Sequence, residues 1–491
     1  MTAPHLLLEQ TGGAQRAGKM QLVRRTGRTL ALMAVVAAVT GCSLLPERLR
    51  PTLTLPEPTA SAADYGDLER WWLRFNDAEL NSLVEQALHN NTDLVIAAAR
   101  IDEAAEQIRI ASQRLLPSLD LDVAATRNRR SERTSTSFPG LPVYTDNRQI
   151  GLSATYELDL WGRIRQAERS AVLRLQAETW ARRAAGASIA AQVAQSVFLV
   201  RTLSQQRGLT ADTLQLADEA IALLERQRDA GLIGDFELLQ NRAERDAFAV
   251  RLTDLDEALG RARRALAVLC GASPATIIGF DVGVEALPTQ PEVPEGLPST
   301  LLLQRPDVMQ GEARLAAASA DIAAARAAWF PQLSLTGRYG YQSREFGELI
   351  GGPATVWSLG LSLLQPIIGA RETAARVRSA EARQRQNEAA YIGTVQRAFA
   401  ETGDALDARR AAREARLLQE RRQQELADTL RMAQRRFDAG LTGALEVIDA
   451  RRSLLAAQLD ALDRRNAELG ATVDLFRALG GGWSQTEPAH R

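Results

Sequence analysis

Hydrophobic positions along this chain change period twice, and in the same way in each half. From Leu80 the apolar residues Leu80, Leu83, Val84, Ala87 and Leu88 recur at helical spacing, and Asn90-Asn91-Thr92 interrupts them. Thr92 or Asp93 then caps a second predicted helix that stops at Pro117. Beyond the proline the period falls to two. Leu119, Leu121 and Val123 alternate with Asp120 and Asp122, and Ile150, Leu152, Ala154 and Tyr156 alternate with polar or small residues. The second half repeats this with Leu333, Leu335, Tyr339 and Tyr341, then with Trp357, Leu359, Leu361 and Leu363. These patterns predict strands near 118–126, 149–158, 332–341 and 355–364, each with one apolar and one wet face. The polar stretches Arg127 to Arg148 and Gln342 to Pro353 read as loops joining them.

The remaining chain is helical in character. From Gly162 to about Arg207, and from about Ala370 to Ala412, it is rich in Ala, Arg, Gln and Glu and free of proline. Each segment is expected to fold back, near Gln205 to Gly208 and near Asp407 to Ala412, with the returning helix ending at Gly231 or Gly440 as a left-handed cap. Those two glycines sit in twin stretches. Arg226 to Arg242 matches Arg435 to Arg451 at eight ungapped positions, including Asp-Ala-Gly-Leu, and Arg100 to Thr126 resembles Arg314 to Gly340 with Pro117 and Pro331 in register. The chain is a duplicated unit. The organisation expected is residues 71–280 for the first repeat, 281–304 for a linker, 305–483 for the second repeat and 484–491 for a tail. The fold class expected is α+β, mostly long helices with four strands, in one interlocked body.

Charge excludes one class of partner. With 59 basic against 60 acidic residues, net −1, nothing points to nucleic acid. The three histidines, His5, His89 and His490, and two cysteines, Cys42 and Cys270, form no metal-ligand or nucleophile pattern, so neither an enzyme nor a metal site is expected. Cys270, after Leu266-Ala267-Val268-Leu269, reads as a buried apolar residue.

The N-terminus sets the compartment. Arg24, Arg25 and Arg28 precede the apolar run Leu30 to Val39, which ends in Thr40-Gly41-Cys42-Ser43. A basic end, a short apolar core and small residues describe an export signal over 1–41. Its final residues resemble a bacterial lipoprotein box, which implies cleavage before Cys42 and acylation of that cysteine. Ser43 is not the Asp linked with inner-membrane retention, so the outer membrane is favoured. Residues 42–70, with Pro46, Pro51, Pro56 and Pro58, read as an extended tether. No other stretch is long and apolar enough to cross a bilayer as a helix, so a crossing would use strands, with Tyr156, Tyr339, Tyr341 and Trp357 suited to the interfacial belts. Four strands cannot close a barrel, which needs about eight, so several copies must share one.

Several ordered motifs carry a family resemblance over about Trp71 to Trp483. They are Trp71-Trp72, Asn91-Thr92-Asp93-Leu94, Leu116-Pro117, Glu157 to Arg163, Leu302 to Val308, the paired Asp-Ala-Gly-Leu stretches and Leu479 to Trp483. Together they resemble the TolC-like outer-membrane efflux family, in its NodT-type lipoprotein branch. The resemblance implies a homotrimer with a twelve-strand barrel above a periplasmic barrel of helices. It also implies a passive exit duct joined by a periplasmic adaptor to an inner-membrane transporter, with no cofactor apart from lipid on Cys42. A periplasmic coiled tethering lipoprotein is the alternative, and it leaves the four two-faced strands unexplained. Family members constrict at the periplasmic helix tips, which points to Asp404 and Asp407, three apart on one helical face, with Leu406 beside them. Arg305-Pro306-Asp307 reads as a helix entry, with proline in the first turn.

Overall fold

The computed structural model describes residue 51 and residues 70–133, 140, 142–283, 286–293 and 302–481. The export segment 1–41, Cys42, nearly all of the 42–70 tether, part of the linker, Trp483 and the tail lie outside the described residues. Helices α1 (Ala78–Asn90) and α2 (Thr92–Gln113) lead to strands β1 (Ser118–Arg129) and β2 (Tyr144–Leu158), and then to α3 (Arg163–Asp229) and α4 (Asp235–Leu269). After the short turn Pro274–Ile277 the order recurs as α5 (Pro306–Ala327), β3 (Gln332–Ser343), β4 (Thr355–Leu364), α6 (Ala370–Asp438) and α7 (Ala444–Ala478).

The chain forms two compact units, and each draws on both halves. One contains Ser112–Ala167 with Ser319–Glu381; the other contains Pro51–Ala111, Glu168–Ala318 and Ala382–Arg491. Compactness therefore runs across the repeats rather than along them. The first unit holds a four-stranded antiparallel sheet in the order β1-β2-β3-β4. Its strands reach further into the expected loops than alternation alone indicated, because the ladder continues through polar pairs such as Arg127↔Asp146, which also form an ion pair at 3.6 Å.

The second unit is helical, and its main core gathers Trp71 to Phe75, α1, the middle of α3, the end of α4 and the end of α7. Trp71 stacks on Phe476 at 5.5 Å between ring centroids, and Phe75 meets Phe198 at 5.2 Å, all four buried. Leu80, Leu83, Val84 and Ala87, the apolar stripe read from spacing, join this cluster.

The expected fold-backs are absent. Gln205 to Gly208 lie inside α3, which runs for 67 residues, and Asp407 to Ala412 lie inside α6, which runs for 69. At 1.5 Å per residue each spans about 100 Å. One interior glycine weakens a helix by only about 1 kcal/mol. Thr210, a residue type able to cap a new helix, instead donates to the Gln206 carbonyl at 2.8 Å. The helices turn at the twin stretches themselves, so Gly231 and Gly440 cap α3 and α6, and the returning helices are α4 and α7.

Candidate functional site

The register sorts the sheet into two faces. Leu121↔Leu152↔Tyr339↔Trp357 runs across all four strands, as does Leu119↔Ala154, and Leu335↔Leu361 falls on the same side. Leu119, Leu121, Val123, Trp357, Leu359, Leu361 and Leu363 are all exposed, and Trp357 is 75% exposed. Exposed apolar side chains at every second position of a sheet fit hydrocarbon rather than water. The opposite face carries Asp120, Asp122, Gln149, Ser153, Thr155, Thr336, Arg338 and Ser358. There Arg338 on β3 reaches over β2 to Asp122 on β1 at 2.6 Å. The position it crosses is Gly151, where a Cβ would lie 3.6 Å from the Arg338 Nε and 3.3 Å from the Tyr339 carbonyl oxygen. The tight contact is the backbone carbonyl, while the guanidinium would meet that Cβ at ordinary van der Waals distance.

The strand-to-helix junction is built from the Glu157 to Arg163 motif. Glu157 takes Arg163 Nη2 on both carboxylate oxygens, at 2.9 and 2.7 Å. Asp159 accepts the free first-turn amides of Ile164 and Arg165 at 3.1 and 2.9 Å, which caps α3. Trp161 stacks on Phe330 at 4.7 Å and 20°, and its indole N–H donates to the Pro331 carbonyl at 2.8 Å.

In the helical unit two buried arginines tie distant segments together. Arg201, 1% exposed, donates to both carboxylate oxygens of Asp77 and, at 2.8 Å, to Glu79, which in turn accepts the Gly283 amide at 2.6 Å. Burial opposes the charge, and the two carboxylates outweigh it, so the guanidinium pKa stands above its ordinary value. The sequence reading missed this network, although an arginine directly after Val197-Phe198-Leu199-Val200 was the available signal. Arg305 donates to Asp307, to Glu401 at 2.8 Å and to the Ala478 carbonyl at 2.8 Å, and Pro306 opens α5. The Arg-Pro-Asp motif thus holds the end of α7.

The α3–α4 and α6–α7 turns are geometric copies. Gly231 and Gly440 adopt φ of 69° and 70°. Leu232 N–H donates to the Gln227 carbonyl at 2.9 Å, and Leu441 N–H to that of Arg436 at 2.8 Å. This is the hydrogen bond of a left-handed helix end, and it requires glycine's freedom at positive φ. Leu232, Phe236, Leu441 and Leu445 are exposed at these turns, beside Asp229, Asp235, Glu237, Asp438, Glu446 and Asp449. Arg436 pairs with Glu446 across the second turn at 3.3 Å.

Asp404, Asp407 and Leu406 occupy a different place from the one expected. They lie in the middle of α6, not at a helix tip. Both aspartates are exposed, Asp407 pairs with Arg410 at 3.4 Å, and Leu406 packs against the Trp71 core. The gate assignment rested on a turn after Asp407, and the continuous helix removes that basis. Among the described residues no cluster of His, Cys, Asp or Glu could hold a metal ion, and no helix is long and apolar enough to cross a membrane.

The family sequence model described as "Outer membrane efflux protein" matches residues 83–272 and again 297–481, once in each half. The chain belongs to that family. It is 32% identical over 458 residues to the cation efflux system protein CusC of Escherichia coli O6:H1, covering 92% of this chain and 98% of that one. It is 31% identical to the outer membrane protein OprJ of Pseudomonas aeruginosa, over 94% of this chain and 98% of that protein. Among solved structures, the CmeC outer membrane channel of Campylobacter jejuni superposes with a TM-score of 0.81 at 26% identity, over 90% of this chain and 96% of that one. This efflux protein is thus an outer-membrane duct, and the apolar sheet face is its bilayer surface.

Proposed function

We propose that three copies of this chain close one twelve-strand barrel in the outer membrane. In this reading they form the passive exit of a tripartite pump, joined by a periplasmic adaptor to an inner-membrane transporter and anchored by lipid on Cys42. The observation that carries the reading is an open sheet of four two-faced strands, whose edges β1 and β4 pair with nothing among the described residues. A bilayer tolerates no free strand edge, and four strands are too few to close on themselves. The chain does no chemistry on its cargo, and it needs no cofactor beyond the covalent lipid. Relatives named for cation efflux, pyoverdine export and toluene efflux stand at 31–32% identity, so likeness does not separate cargoes. Cargo choice then belongs to the transporter and adaptor.

With α3 and α6 unbroken to Gly231 and Gly440, the constriction belongs at those turns rather than at Asp404 and Asp407. The purified lipoprotein should run as a heat-modifiable trimer in detergent and conduct ions across a planar bilayer. A protein that stays single and conducts nothing overturns the duct and favours the periplasmic tether.

A further inference from the structure

The duplication writes the same junction twice, and only one of the two is closed within the chain. In the first, β2 ends at Leu158, and Trp161-Gly162 leads into α3 at Arg163; in the second, β4 ends at Leu364, and Ile368-Gly369 leads into α6 at Ala370. Facing them are the strand entries, Phe330-Pro331 before β3 and Leu116-Pro117 before β1. Because β2 pairs with β3, Trp161 reaches Phe330 and stacks on it. The matching pair flanks the two open edges of the sheet. There Ile368 is 96% exposed and Leu116 is 58% exposed.

We propose that Ile368 of one copy packs on Leu116 of the next copy, the between-chain counterpart of the Trp161–Phe330 stack, forming an apolar clasp where β4 meets β1. The inference rests on the three-copy reading and deepens it by naming the contact at the seam. Three observations support it.

The first is equivalence. Both helices start one residue after the glycine, and both strands start one residue after the proline, while β4 ends five residues before Gly369 and β2 four before Gly162. The second is face parity. β2 meets β3 with Leu158 opposite Leu333 and Leu152 opposite Tyr339, apolar on apolar. Carrying that pairing to β4 and β1 of the next copy, with Trp161-Gly162 set on Ile368-Gly369 and Pro331 on Pro117, places Leu363 opposite Leu121 and Leu361 opposite Val123. A slip of one residue would instead set leucines against Asp120 and Asp122. The third is chemistry. The isoleucine side chain, unlike the Trp161 indole, has no N–H to give the Pro117 carbonyl, so the clasp is purely apolar, which matches two side chains that expose only carbon.

The test uses Ile368→Cys with Leu116→Cys in a Cys270→Ala background, treated in membranes with a short bismaleimide and run on a heated denaturing gel. Covalent dimers and trimers that require both cysteines are expected, and either cysteine alone should leave only single chains. Trp161→Cys with Phe330→Cys serves as the in-chain control and should crosslink without adding chains. Heat-modifiable trimers that yield no covalent dimers, while the control crosslinks, overturn the clasp and leave the three-copy duct standing. Absence of trimers from the unmodified protein overturns the duct itself. As a second measurement, Ile368→Glu should lower the temperature at which trimers dissociate by several degrees, and Leu116→Arg on the next chain should restore it. An Ile368→Glu trimer as heat-resistant as the parent also overturns the clasp, since it would show this pair facing lipid or water.

Discussion

Arg201 illustrates what a single buried charge does here. Its guanidinium joins Asp77 and Glu79, at the start of α1, to the middle of α3, and Glu79 carries the link on to Gly283. Removing one partner of a buried pair leaves the other charged in a poor solvent, at a cost of about 3–5 kcal/mol. Arg201→Met should therefore lower thermal stability, followed by circular dichroism, far more than Arg410→Met, whose partner Asp407 is exposed. Cys270 is the second informative residue. Burial pushes its thiol up to about 11, against about 8.5 in an unfolded chain. Its contribution to stability is then complete below about pH 8.5 and is lost as the pH rises toward 11. Cys270→Ala should flatten the stability profile over that interval, measured by denaturant titration at successive pH values.

At the scale of elements, alternation was enough to find all four strands, because a sheet with lipid on one face and water on the other leaves a period of two in the residues. The long helices were harder to bound. Their Ala-, Arg- and Gln-rich sequence has no proline and no strong apolar stripe, so nothing local marks where 67 residues stop, and the assumed fold-backs fell too early. The information lay in the twin glycines, which were read as caps of the wrong helices. The same error moved Asp404 and Asp407 to a tip they do not occupy, and Leu406 shows why. It packs against the core, as Phe399 does. Gly440→Ala forces a positive φ on a residue with a Cβ, costing about 1–2 kcal/mol locally, and should speed amide exchange at Phe437 to Leu441. Gly231→Ala should do the same by a similar amount, given its matching φ. In single-channel recordings, Glu446→Gln with Asp449→Asn should raise conductance, while Asp404→Asn with Asp407→Asn should leave it unchanged. The reverse pattern would return the constriction to mid-helix.

For the molecule as a whole, one compositional fact makes the proposed anchor measurable. Lys19 is the sole lysine of the sequence, and it lies in the segment expected to be removed. From Cys42 onward every basic side chain other than histidine is a guanidinium. A processed, N-acylated protein then has no primary amine at all. An amine-reactive dye should fail to label the denatured protein extracted from membranes, while a thiol reagent should find one group, Cys270. One amine would indicate cleavage with a free N-terminus, and labelling at Lys19 would show an uncleaved leader.

The division of the chain bears on how it can be cut. Each compact unit takes strands or helices from both sides of residues 281–304, so severing the gene there would give two polypeptides that each own half of two interiors. Neither should fold by itself. Expressed together in one cell, the fragments should find each other and rebuild a working exit, as two interleaved hands close only when both are present.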